Sequence, residues 1–81
     1  MSKEYKWIVF SLQGCTAKTN YYNCYNKKNN ILLGQVRWYP PFGRYSFFTE
    51  DNIVFEETCL TDISDFLREI NNEHKAKRSG G

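Results

Sequence analysis

The chain has little of what metal sites and disulfide frameworks need. Among 81 residues there is one histidine, His74, and three cysteines, Cys15, Cys24 and Cys59. An odd count with no C-x-x-C spacing excludes a disulfide scaffold, and free thiols suit a reducing compartment such as the cytoplasm. A tetrahedral zinc site takes four N or S ligands, and one histidine with three scattered cysteines does not present them as a motif. No apolar run approaches the ~20 residues of a membrane span. The stretch Leu12-Gln13-Gly14-Cys15 has the outline of a lipoprotein cleavage box. The apolar run before it is shorter than the ~7–15 residues of a signal segment, so the segment reads as a strand. No glycine-rich phosphate loop occurs, and no nucleophile has an evident base; neither catalysis, a cofactor nor a small-molecule substrate is expected.

What the chain does have is aromatic residues: six Phe, six Tyr and two Trp. A domain this small buries only about 60–65% of its unfolded surface, and large rings supply core area efficiently. Charge is distributed unevenly. Residues 1–49 carry seven Lys/Arg against Glu4, a net +6. Residues 50–73 carry eight acids against Arg68, a net −7, and Lys75, Lys77 and Arg78 follow for +3. Such polarity concerns partners more than fold.

Pattern divides the chain in two. Residues 5–12, 19–25, 31–39 and 44–49 read as strands, with a short fifth at 53–55. "NKKNN" is a tight connection, and "PPFG" breaks the third strand from the fourth. Leu60, Ile63, Phe66, Leu67 and Ile70 then form one stripe of a helix over 60–73, with Thr58 or Thr61 to cap it. Strands first and one helix last predict an α+β fold: an antiparallel sheet of four or five strands with the helix on one face. Residues 1–73 form one domain, and 74–81 are expected to fray as a flexible basic tail.

Strand parity then sorts the rings. Tyr22, Cys24, Val36, Trp38, Tyr45 and Phe47 face the helix, with Leu32 and Gly34 on the same side. Tyr21, Tyr25, Gln35, Arg37, Tyr39, Arg44 and Phe48 fall on the open face with Asn23 and Ser46, and Leu33 shares their parity. Tyrosine beside arginine suits protein contacts and also the stacking and charge needs of single-stranded nucleic acid. Cross-strand pairs on a solvated sheet are the plainer explanation of the same residues.

The run Leu33–Phe48, "LGQVRWYPPFGRYSFF", followed by "CLTDISDFLREIN" from Cys59, resembles small uncharacterised proteins of bacteriophages and bacterial mobile elements. Their pattern is L-G-x-[IV]-x-W-Y-x-x-W-R-x-Y-x-F-F, then C-L-x-D-I-x-D-F. Phe42-Gly43 departs from its Trp-Arg, and Arg44 carries the charge one position later. The resemblance implies a phage-type setting inside a bacterial cell and names no activity. The expected function is therefore a non-enzymatic accessory binding protein. Its open sheet face would contact a host protein or, as the alternative, DNA or RNA. The chain would be a monomer or a weak dimer formed through an edge strand.

Overall fold

The computed structural model describes residues 2–16 and 18–80, with side chains for 3–16 and 18–76. Five strands precede one helix: β1 (Ser2–Glu4), β2 (Ile8–Cys15), β3 (Asn20–Asn26), β4 (Leu32–Tyr39), β5 (Arg44–Thr49) and α1 (Glu57–Gly80). They form one antiparallel meander in the order β1-β2-β3-β4-β5. The connections follow from local chemistry. Asn26 Oδ1 accepts from the Lys28 and Asn29 amides, and Asn30 takes a left-handed φ of 59° to close the turn into β4. After Pro40-Pro41, the Phe42 and Gly43 amides both donate to the Tyr39 carbonyl, and Gly43 turns the chain at φ 64°. A Cβ is strained at that angle, which is where glycine is useful.

The helix covers one sheet face. Phe66 stacks flat on Phe10, with centroids 4.0 Å apart, and meets Tyr22 edge-on at 5.1 Å. Ile8, Cys24, Val36, Tyr45, Ile63 and Ile70 complete the buried cluster, with Trp38, Phe47 and Leu67 packed around it. Asn71 ties α1 to the sheet edge. Its Oδ1 accepts from the Tyr45 amide at 2.8 Å, and its Nδ2 donates to the Tyr45 carbonyl at 3.3 Å. These two bonds take the place of a neighbouring strand at that residue and blunt the β5 edge.

The structure departs from the sequence reading at five places. The fifth strand lies at the N-terminus as β1, held by Lys3–Phe10 pairing, and not at 53–55. Residues 53–55 climb from the sheet layer to the helix layer, so their backbone leaves the ladder. Phe55 still meets Phe47 edge-on at 5.7 Å. The β3–β4 register shifts so that Tyr25 pairs Leu32 while Cys24 pairs Gly34. Leu33 is the extra residue of this bulge and joins the core, while Leu32 takes the place opposite Tyr25. Leu60 is 52% exposed, because the buried stripe runs Cys59–Ile63–Phe66–Ile70 and Leu60 sits one residue off it.

The helix cap and the end of the helix also differ. Glu56 caps the helix, its Oε1 accepting from the Cys59 amide at 2.8 Å. Hydrogen bonds from the Thr58 and Cys59 backbone hold its carboxyl below the usual range. At the other end α1 continues past Glu73 to Gly80. Lys75, Ala76, Lys77 and Arg78 are good helix formers, and cations suit a helix C-terminus. Gly81 and the side chains of Lys77 and Arg78 lie outside the described residues.

Two outcomes follow for stability. A Cβ on Gly34 would collide with the Phe48 carbonyl and stand 2.8 Å from the Phe47 ring. Gly34→Ala should therefore cost about 1–3 kcal/mol in urea denaturation; unchanged stability would contradict this close approach. Burial, with Cys59 nearby, pushes the Cys24 thiol up to about 12. Burial, reinforced by Glu69, Asp65 and Asp62, pushes the Tyr5 phenol up to about 12. Unfolded, these groups ionise near ~8.5 and ~10. Both folded values are raised, so their stabilising contribution is complete below pH ~8.5 and is lost as pH climbs toward 12. The urea midpoint should fall over that range, and Tyr5→Phe should flatten the part above pH ~10.

Candidate functional site: the uncovered sheet face

With α1 on one side, alternate residues of β2–β5 are left on the other. The ladder sets them in rows. Ser11, Asn23, Gln35 and Phe48 lie opposite one another across four strands, Arg37 pairs with Ser46, and Tyr39 pairs with Arg44. A polar relay crosses the middle. Gln35 Nε2 donates to Asn23 Oδ1 at 3.0 Å, and Asn23 Nδ2 donates to the Tyr25 hydroxyl at 3.0 Å.

Beside the relay is a ring cluster. The Arg37 guanidinium lies 3.9 Å from the centroid of Phe48. Tyr39 meets Phe48 edge-on at 5.6 Å and Phe42 at 4.8 Å. Arg37 is exposed, while Tyr39 and Phe48 are half-buried against each other. On its other flank Arg37 joins Tyr21 and Gln35 along a shallow groove of about 320 Å³. The Tyr21 ring lies over Gly14, where an added Cβ would come 2.7 Å from the hydroxyl oxygen.

The seven residues singled out from sequence therefore fall into two groups. Tyr21, Tyr25, Gln35, Arg37, Tyr39 and Phe48 form a connected surface. Arg44 stands at its rim and also lines a larger groove on the helix side. Sequence reasoning passed over Phe42, which is 69% exposed at the hairpin tip. The signal was the Pro-Pro-Phe-Gly turn itself, which leaves an apolar ring mostly exposed at the tip, edge-on to Tyr39.

Cations elsewhere are partly occupied. Lys27 Nζ is 2.7 Å from Glu4 and Lys3 Nζ is 3.6 Å from Glu69. Arg37 and Arg44 have no acidic partner among the described residues. Cys59, in the first turn of α1, has its pKa raised, chiefly by burial and then by the Glu56 carboxylate. The histidine is far from it: fifteen helical residues, about 22 Å, separate Cys59 from His74. His74 packs on Trp38, with ring centroids 4.6 Å apart.

The chain is similar to a protein of Acholeplasma phage L2 described as an uncharacterized 9.3 kDa protein. The two are 34% identical over 50 residues, 62% of this chain and 64% of the phage protein. The match thus spans somewhat less than two thirds of that relative. No family model matches the chain, and no solved structure does. Similarity therefore supports a small phage-type protein and assigns no chemistry. Among the described residues, no helix is long and apolar enough to cross a membrane.

The exposed position of Arg37 makes it a surface group. Its stacking on Phe48 should be worth about 0.5–1 kcal/mol. Arg37→Ala should lower stability by no more than that in chemical denaturation and leave the circular dichroism spectrum unchanged. Loss of the fold would mark Arg37 as a structural support.

Proposed function

We propose that this chain is a non-catalytic accessory protein of phage type that acts in the bacterial cytoplasm and docks on a host protein through its uncovered sheet face. The observation that carries the reading is Arg37 laid over Phe48, with Tyr39 alongside, on a face that no element of the described fold covers. Arginine and tyrosine anchored on a rigid sheet give large contact area at low entropic cost, as protein interfaces favour. The amides of Asn23 and Gln35 add directional hydrogen bonding at the centre.

The face is poorer as a nucleic-acid surface. Binding to phosphates gains from many released counterions, so it calls for a row of free cations. Among the described residues Arg37 lies in this face's ring cluster and Arg44 at its rim, and the charges of Lys27 and Lys3 are already matched by Glu4 and Glu69.

The test is affinity capture from a bacterial host lysate, with and without nuclease, on the wild-type chain and on Arg37→Glu/Tyr39→Ala. A captured protein that survives nuclease and is lost at least tenfold in the double variant is the expected result. Capture that disappears with nuclease, or direct binding to single-stranded DNA or RNA that falls steeply with salt, would replace this reading with the nucleic-acid one. Equal capture by the double variant would remove the sheet face from the contact.

A further inference from the structure

A second concavity lies on the helix side of the hairpin, between the β4–β5 turn and the C-terminal half of α1. It has a volume of about 570 Å³ and is lined by Trp38, Phe42, Gly43, Arg44, Asn71, His74 and Lys75. That volume falls within the ~300–1,000 Å³ of ligand pockets. We infer that this groove is a separate binding site for an acidic peptide segment that carries an apolar side chain between its carboxylates. The site does not depend on the reading of the sheet face given above.

The walls are of opposite origin and like charge. Arg44 opens β5 on one side and Lys75 projects from α1 on the other; both are exposed. Neither has an acidic partner among the described residues. Trp38 supplies an apolar ring to the lining and is set in place. Trp38 is held by His74 at 4.6 Å and by Tyr45, edge-on, at 5.4 Å. The two Asn71 bonds to the Tyr45 backbone fix α1 against β5, so the groove exists before any ligand arrives. Phe42 stands at the rim with most of its ring in water, a cost that an apolar side chain laid against it would remove.

Charge selects an anion, and geometry selects which kind. A phosphate is best held by donors that converge on one point, such as a nest of backbone amides. Here the Phe42 and Gly43 amides already donate to the Tyr39 carbonyl, and Gly43 also to that of Pro40. The cations stand on opposite walls. A flat base would also find Trp38 already in contact with two rings. One cation from β5 and one from α1, in a groove that also holds the Trp38 and Phe42 rings, fit a peptide whose carboxylates alternate with an apolar residue.

The experiment is an NMR titration of the full chain with a blocked Glu-Phe-Glu tripeptide, its Gln-Phe-Gln analogue and adenosine monophosphate. The Glu peptide should shift the Trp38 indole N–H, the Gly43 amide and the His74 ring. Its affinity should drop about tenfold or more with the Gln analogue, and likewise in Lys75→Gln, since each change removes a charge-assisted contact. Lys28→Gln, at an exposed turn far along the chain, serves as the matched charge control and should bind as the wild type does. Equal affinity for the neutral peptide, shifts confined to Arg37 and Phe48, no shift at millimolar peptide, or a response to the nucleotide alone would each overturn the assignment. None of these outcomes bears on capture through the sheet face, which Arg37→Glu/Tyr39→Ala reads separately.

Discussion

Everything in this molecule depends on the flat contact between Phe66 and Phe10. That stack seats the single helix on one side of a five-stranded sheet. Once it is made, strand parity assigns every neighbouring side chain to a dry face or a wet one. Among the described residues one helix covers one face, and on the other face the rings pack on one another. Tyr39, Phe42 and Phe48 do so edge to face, with Arg37 laid across the end.

The charge pattern takes on meaning once it is folded. In sequence the first 49 residues are strongly basic and residues 50–73 strongly acidic. In space the two halves meet at the β1 edge, where Lys3 pairs with Glu69, while Glu4 takes up Lys27 within the basic half. Exposed pairs of this kind contribute roughly 0–1 kcal/mol, so their weight lies in which cations they leave free. Among the described residues those are Arg37 on the open face, Arg44 at its rim and Lys75 across the groove, together with Lys6, Lys18 and Lys28. At the hairpin tip Phe42 meets Tyr39 of the open face and also lines the helix-side groove.

Much of this was legible in the residues. Arg44–Thr49 is a strand with the bounds its pattern implies, because Pro40-Pro41 and Gly43 mark its start and every second side chain is a large ring. The alternation of Tyr22 and Cys24, and of Val36 and Trp38, against Asn23, Gln35 and Arg37 sorts the two faces correctly. Period-2 reasoning failed at Leu32–Leu33, since a bulge adds one residue and no local composition announces it. It also missed β1, whose three residues Ser-Lys-Glu carry no apolar signal and are held only by pairing with β2. The helix stripe was readable from Ile63 to Ile70. Its N-terminus was not, because Glu56 takes the capping role that Thr58 or Thr61 would ordinarily fill. The groove beside His74 needs residues 38–44 and 71–75 to meet, and periodicity does not report such a meeting.

The claim that matters most is that one sheet face is covered and the other is free in solution. NMR relaxation enhancement by a soluble gadolinium chelate reads this residue by residue. Side-chain protons of Arg37, Tyr39 and Phe42 should relax strongly, while those of Phe10, Val36, Ile63 and Phe66 should be nearly unaffected. Comparable enhancement in both sets would mean that the helix does not stay docked. Protection of Arg37 and Tyr39 would mean that their face is already occupied, and either result would contradict the account.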